Sequence, residues 1–379
     1  MRRDVITEAT IDLGAIAHNT AVFAASTTAE VMAVVKANGF GHGALATAEA
    51  ALAGGATWLG VATGAEALEL RAAGVTAPIL SWIHPHDGDL AEAVAADVDV
   101  SVSSVDHLAS VASSGLTPNV HLKADTGLHR NGSVASDWPE LVRRAREFEQ
   151  YGRIRVRAVW SHLISGEDSE AEATRLQVTR FETALALARD AGLRPRLRHL
   201  ANSVAALGTP VTHYDLVRPG IGLYGVEPDL RRTYGLRAAM TLRARLVLVK
   251  HVPAGSGVSY EHDYVTTRPT TLGLVPLGFA DGVPRTAGPF AQVWCAGRRF
   301  PVAGRIAMDQ FVVDFGEFTP AAGEDVVLFG SGADGEPTVG DWADWAGTIP
   351  HEIFTGIGAR VRREHVGLPV PANQQRGEA

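Results

Sequence analysis

Only three of the 34 basic residues in this chain are lysines: Lys36, Lys123 and Lys250. Arginine effectively never gives up its proton, so any step that needs a titratable amine falls to these three. Two of them stand at the ends of apolar runs. VMAVV (31–35) leads to Lys36 and then into ANGFGHG (37–43); VHL (120–122) leads to Lys123 and then into ADTGLHRNG, which contains Arg130. Three further runs end in chemistry-bearing residues: Ser161 and His162; His199, Asn202 and Ser203; and Arg218, Pro219, Gly220 and Ile221. Each has an ordinary reading when taken alone. A strand-end lysine snorkels to water, the Gly-His-Gly stretch is a turn, His162 is a hydrogen-bonded core residue, Ser203 caps a helix, and Arg218 pairs with Asp215. All of these would have to hold together for the set to be inert. A lysine shielded from water can lose its proton and form a Schiff base. Backbone N–H groups and a hydroxyl can cradle a phosphate. Lysine plus phosphate cradle is the outline of a pyridoxal phosphate site. The same spacing admits a Schiff-base aldolase acting on a sugar phosphate.

The elements that would have to position these residues are visible as texture. From about residue 30 to 225, eight apolar runs (31–35, 58–62, 78–82, 98–102, 120–123, 154–160, 197–200 and 214–217) alternate with helix-like stretches. The clearest helix pattern, RLQVTRFETALALARDAG (175–192), has apolar residues at i, i+3, i+4 and i+7 spacing and stops at Gly192. Strands that alternate with helices pair in parallel, and eight such units predict an α/β fold with a closed (β/α)8 barrel; a doubly wound open sheet is the alternative. In a barrel the chemistry sits where strands end, and a phosphate anchor is expected after strands 7 and 8, where Ser203, Gly220 and Ile221 fall. After about residue 235 the runs 240–252, 270–279, 292–304, 310–316 and 324–330 are short, β-rich and separated by Gly or Pro, and one long helical pattern follows at 340–361. The reading is a barrel over 1–234 and a mainly-β domain over 235–379, joined by the turn-rich stretch 226–238.

Composition narrows the function classes. The chain has 379 residues, 46% hydrophobic and 20% charged, which is enough for two or three domains with large cores and too apolar for disorder. A net charge of −8 argues against a general nucleic-acid partner. No apolar run reaches the ~18 to 20 residues of a membrane span, and MRRDVITEATIDLG has no hydrophobic stretch after its Arg pair to make a secretory signal. The single cysteine, Cys295, excludes an intrachain disulfide and a Cys-rich metal site. The expectation is a cytoplasmic protein that takes no metal.

VVKANGFGHG around Lys36 resembles the pyridoxal-lysine signature of alanine racemases. HLKADTGLHRNG (121–132), SHLISGED (161–168), HLANSVAAL (199–207), RPGIGLYG (218–225), GVSYEHDY (257–264), LGFADGVPR (277–285) and GRIAMDQ (304–310) are similar to that family in the same order. Family members join an N-terminal barrel to a β domain and work as head-to-tail homodimers, each site completed by the partner's β domain. The resemblance implies an isomerase that interconverts L- and D-alanine and supplies D-alanine for peptidoglycan precursors. Lys36 would hold pyridoxal phosphate as an internal aldimine and act as one base. Tyr260, donated by the other subunit, would be the opposing base. Arg218 would face the pyridine nitrogen with support from His162. Arg130 would reach the cofactor's phenolic oxygen and the substrate carboxylate. Lys123 stands where the family often carries a carbamylated lysine. Asn202, Ser203, Gly220 and Ile221 would lie on the cofactor's phosphate side, and the backbone at Met308, again from the partner, would help hold the substrate. Two bases are needed because one group would return the proton to the face it came from.

The chain departs from the family pattern at four places. Phe40 replaces a tyrosine whose hydroxyl normally contacts the phosphate, Phe279 replaces the tyrosine of GYADG, His351 replaces the tyrosine of a YE pair, and Glu167 replaces an entrance-region aspartate. His351 can still donate a hydrogen bond and could bind cofactor; Phe40 cannot. Weaker cofactor retention is expected, and the altered entrance leaves open another substrate such as serine. A non-catalytic pyridoxal phosphate carrier would have no use for Tyr260. A basic-amino-acid decarboxylase would need a cysteine motif unlike WCAGRR around Cys295.

Overall fold

The computed structural model describes residues 5–85, 90–165, 171–229 and 231–367. They fall into two units: one spans Ile16–Gly39 and Thr47–Leu236, the other Met1–Ala15, Phe40–Ala46 and Arg237–Ala379. The first strand, β1 (Thr7–Asp12), belongs to the second unit. The first unit holds β2 (Glu30–Val34), β3 (Trp58–Val61), β4 (Ile79–Ser81), β5 (Val98–Val102), β6 (Asn119–Lys123), β7 (Arg155–Trp160), β8 (Leu197–His199) and β9 (Leu216–Val217). These strands run in the order β8-β7-β6-β5-β4-β3-β2-β9, every neighbouring pair parallel. Between β8 and β9 the ring is closed by two backbone hydrogen bonds, Asp215 N–H to Arg198 O and Arg218 N–H to Ala201 O, both 3.0 Å. The eight apolar runs are thus the eight staves of a nearly closed barrel.

Parallel strands covered on both faces read as continuous apolar runs, and β3 and β5 are buried along their whole length. Met32, Trp58, Leu80, Ala158, Leu197 and Leu216 form one buried cluster. Helices start where the sequence offers caps. Thr63 and Glu66 make a reciprocal capping box at Gly64–Ala72, Ser104 caps Val105–Ala112, and the Asn202 side chain caps Ser203–Gly208 through Ala205 N–H.

The second unit adds β10 (Met240–Arg245), β11 (Leu248–Val252), β12 (Gly257–Val258), β13 (Tyr264–Val265), β14 (Thr270–Val275), β15 (Gln292–Cys295), β16 (Arg298–Ala303), β17 (Phe311–Gly316), β18 (Asp325–Phe329) and β19 (Arg362–Val366). Nine strands make one sheet, β11-β14-β17-β16-β15-β18-β10-β1-β19, and β12 and β13 form a separate hairpin. The run 240–252 is two strands rather than one. The expected helix over 340–361 is two short helices, Val339–Ala346 and Pro350–Gly356, parted at Gly347 (φ 70°) and Pro350, before β19 begins.

The division at 234/235 also has to admit two N-terminal segments. β1 pairs antiparallel with β10 and parallel with β19, so TEATID is the link between two strands from the far end of the chain. Residues 40–46 join the same unit. Arg363 Nε donates to Gly41 O (3.1 Å), and the His365 ring meets His42 O at 2.7 Å. Gly41 has φ 81°, and a Cβ there would lie 2.4 Å from Phe354 O, so no other residue fits. Such pairings are non-local, and no local pattern in residues 1–46 announces them. Among the described residues no helix is long and apolar enough to cross a membrane.

Candidate active site

Lys36 is the first residue after β2 and opens a backbone of unusual hand. Ala37, Asn38, Gly39, Phe40 and Gly41 all have positive φ (53°, 54°, 60°, 51° and 81°). A left-handed turn of L-residues costs roughly 1–2 kcal/mol per non-glycine position, and it is held here by Glu66, whose carboxylate accepts from Ala37 N–H at 2.7 Å. The Lys36 ammonium lies 5.8 Å from the centre of the Trp82 ring. Burial, and then the charge of Arg130, hold Lys36 below its ordinary range, with Glu66 opposing.

Lys123, at the end of β6, is 5% exposed, and its nitrogen sits 4.3 Å over Trp160. Burial, then Arg218 and Arg130, bring it down to about 7. Arg218, which follows β9, is also 5% exposed and lies 4.9 Å over the same ring. It donates to Ser161 O (2.7 Å), Leu200 O (3.1 Å) and the His199 ring (3.0 Å), and contacts His162 Nδ1 at 3.3 Å. Burial lowers it to about 9, so it stays cationic at neutral pH. His162 is driven to about 3 by burial and then by Arg218 and Arg130, and is therefore neutral. Among the described residues none of Lys36, Lys123, Arg130 and Arg218 forms an ion pair, and Asp215, the expected partner of Arg218, is taken by Arg198 at 2.7 and 3.0 Å. The cations act on one another, and Glu66 at Lys36 and Asp125 at Lys123 offset them only in part. Arg130 itself is exposed, on the loop after Lys123.

On the β8–β9 side of the rim, Ser203 Oγ accepts from Gly220 N–H at 2.8 Å and keeps its own proton to donate. Gly220 stands immediately before the turn Ile221–Tyr224, whose first N–H points away from helical partners. Asn202 is used twice locally, as the cap described above and through Nδ2 to Ser165 O (2.8 Å). Its seat fixes the Ser203 helix, and one Nδ2 proton and one Oδ1 lone pair remain beyond these two bonds.

The remaining expected residues lie in the second unit. Tyr260 is at the tip of the β12–β13 hairpin, between Ser259 (φ 63°) and Glu261 (φ 59°), and is 66% exposed. Arg305 clamps that tip, bonding Asp263 and, at 2.7 Å, Glu261. Met308 is 55% exposed, and its carbonyl accepts from Ala280 N–H at 2.9 Å. The blocks LGFADG and GRIAMD are therefore packed on each other, with Gly278 so close that a Cβ would lie 2.2 Å from Met308 O. Phe279, in the first block, is 43% exposed. Phe40 and His351 lie 5.7 Å apart between ring centres, tilted at 45°, so two of the replaced tyrosines are neighbours. Glu167 lies outside the described residues.

This geometry coincides with what comparison with known proteins finds. A family model for the alanine racemase N-terminal domain matches residues 11–228, and one for the alanine racemase C-terminal domain matches residues 239–365. The chain belongs to the alanine racemase family. An alanine racemase from Frankia casuarinae is 50% identical over 367 residues, covering 94% of this chain and 96% of that protein. Another, from Mycolicibacterium smegmatis, is 49% identical and covers 96% and 95%. The solved alanine racemase of Streptomyces coelicolor superposes with a TM-score of 0.94 at 47% identity, covering 97% of this chain and 99% of that one. Alanine racemases are pyridoxal phosphate-dependent isomerases. Within this alanine racemase-type barrel, two groups escaped the sequence reading: Asp99 and His121, both buried, lie in strand interiors. The signal was available. In VDVSV and NVHLK polar and apolar residues alternate, which puts Asp99 with Ser101, and His121 with Lys123, on one face of their strands.

Proposed function

We propose that the chain is a cytoplasmic, homodimeric alanine racemase, with Lys36 and the partner's Tyr260 as its two bases. The observation that carries this is the cation set: half-buried Lys36, buried Lys123 and buried Arg218 stand at the strand ends of one barrel rim, each held below its ordinary range, and among the described residues none of them is in an ion pair. Such a set fits pyridoxal phosphate, which brings an aldehyde for an amine, anionic oxygens for arginines and a phosphate for a hydroxyl–amide cradle. When bound, that cofactor supplies a conjugated ring that accepts the charge left at the substrate Cα as its proton departs. The protein's own part is then to hold and to move protons. Lys36, its charged form disfavoured by burial, carries the cofactor and exchanges a proton at one face of Cα. Tyr260 Oη of the second copy does so at the other face. Its 66% exposure, with Met308 at 55%, supports a role completed by a covering surface. Arg218 stays charged and, facing the cofactor ring, would disfavour a proton on the pyridine nitrogen, which would limit side reactions such as transamination. Arg130 takes the substrate carboxylate. Ser203, Gly220 and Ile221 hold the phosphate, Asn202 seats the Ser203 helix beside them, and His351 supplies a further contact. A solved Bacillus anthracis alanine racemase, 31% identical with a TM-score of 0.88, is described with bound L-Ala-P, which supports alanine as substrate.

Lys123 is proposed to be carbamylated. Its nitrogen adds to carbon dioxide and releases a proton, and the resulting carbamate is an anion among Arg218, Arg130 and Lys36. A pKa near 7 leaves much of the amine free to react at neutral pH.

The test is borohydride reduction of the holoenzyme with peptide mapping, run beside a chiral assay of L-alanine and L-serine. Label on the Lys36 peptide and D-alanine as product are expected. Label on Lys250 would overturn the site, a decarboxylated product the reaction, and faster turnover of serine the substrate.

A further inference from the structure

Asp99, His121 and His199 form a hydrogen-bonded file through the interior of the barrel, and the file ends on Arg218. Arg218 Nη1 is 3.0 Å from His199 Nδ1, His199 Nε2 is 2.9 Å from His121 Nδ1, and His121 Nε2 is 2.9 Å from Asp99 Oδ2. Both imidazoles are 0% exposed and Asp99 is 1% exposed. At the far end Asp99 also accepts from Arg157 (3.0 Å) and Asn119 (3.1 Å).

The direction of every bond in this file follows from its ends. A guanidinium only donates, so His199 Nδ1 must accept. A neutral imidazole carries one proton, so that of His199 is on Nε2 and goes to His121 Nδ1. The proton of His121 is then on Nε2 and goes to the carboxylate, which only accepts. Reversing either ring would set N–H against N–H in a buried place, at a cost of about 1–3 kcal/mol for each unsatisfied group. Burial, and then the charge of Arg218, hold His199 well below the usual imidazole range, so it stays neutral.

We propose that Asp99 and His121 are positioning residues for Arg218: by accepting the proton that His199 must carry on Nε2 they seat its ring, with Nδ1 turned to the guanidinium, and hold Arg218 in place as an undiminished cation. The inference rests on the reading that Arg218 faces the cofactor ring. Two neutral rings stand between the carboxylate and Arg218. The file therefore supplies direction without putting a negative charge next to the arginine, which would blunt its effect on a pyridine nitrogen. Neither residue touches substrate or cofactor.

The experiment uses histidine labelled with nitrogen-15 in wild type, Asp99→Asn and Asp99→Leu. NMR of each protein before loading with pyridoxal phosphate reads the tautomers; kcat, KM and loss of activity through transamination are read on the loaded enzyme. Wild type is expected to show protonated Nε2 on both rings. Asp99→Asn keeps an acceptor oxygen and is expected to keep both tautomers. Asp99→Leu removes the acceptor and is expected to leave the His121 Nε2–H unpaired, its signal shifted and exchanging faster with water, with kcat falling roughly a hundredfold, KM within twofold, and transamination faster. Should Asp99→Leu not fold, His121→Phe cuts the file one step later and is expected to leave the His199 Nε2–H unpaired, with the same effects on kcat, KM and transamination. An unprotonated His199 Nε2 in wild type, or ring N–H signals left unchanged by these cuts, overturns the proposal. So do altered ring N–H signals with kcat and transamination unchanged. Because the tautomer is read without cofactor, a wrong assignment of the reaction would leave that half of the result standing.

Discussion

The barrel rim and the β12–β13 hairpin carry the two halves of the proposed proton transfer, and they are built in opposite ways. At the rim, Lys123 and Arg218 are 5% exposed and stacked on one indole, and burial has already shifted them. At the hairpin, Tyr260 is 66% exposed on a tip that Arg305 braces through Glu261 and Asp263. A lysine is tuned by desolvation that its own unit supplies. A phenol displayed on a hairpin has no such enclosure within its unit, and in the proposed reading it gains one when a second chain covers it. Reactivity is stored in the first region and orientation in the second.

The strongest way to break this contrast is to separate the halves. Lys36→Ala and Tyr260→Phe are each expected to lose racemisation by about a hundredfold or more. Mixing and reassembling the two inactive proteins in equal amounts is expected to restore about a quarter of wild-type activity. Half the dimers are then mixed, and each has one intact site. A mixture as dead as its parts would place both bases in one chain. Next in size is Lys123→Ala, which removes the proposed anion from among the cations and is expected to lower kcat/KM about tenfold or more. A carbamate signal from carbon-13 bicarbonate should be present in wild type and absent from the variant. Phe40→Tyr returns a hydroxyl to the position where the family contacts phosphate. It is expected to slow cofactor loss on dialysis by roughly ten- to a hundredfold, the scale of one hydrogen bond to a charged group.

The smallest effect is on stability. His162 binds a proton near 6.5 when unfolded and only near 3 when folded. Between those values the unfolded chain takes up more protons, so stability contributed by neutral His162 is present above pH 6.5 and is lost as pH falls towards 3. From pH 7 to pH 5 this amounts to up to roughly 2 kcal/mol, and His162→Gln is expected to flatten the urea-midpoint slope by that share. An unchanged slope would mean that His162 is not buried among charges.

Much of the barrel was legible because its signal is local. Eight apolar runs separated by amphipathic stretches have few other ways to bury themselves, and the strand-end rule then pointed at Lys36, Lys123, His162, Ser203 and Arg218 without further help. β1 was not legible, since TEATID makes sense as a strand only between β10 and β19. The single long helix expected over 340–361 failed because Gly347 and Pro350 were outvoted by the periodicity around them. Asp99 and His121 were passed over because a polar residue inside an apolar run was read as noise, although its alternation was on the page.

The sequence by itself determined the kinds of group present, their order along the chain and the strand ends on which they would stand, because these follow from short-range periodicity and from side-chain chemistry. Only the tertiary structure decided that four cations stand near one rim with, among the described residues, no ion-pair partner, that Asp215 belongs to Arg198, and that a carboxylate, two imidazoles and a guanidinium join end to end. Those are facts of distance and desolvation, and both arise only when residues far apart in the chain are packed out of water.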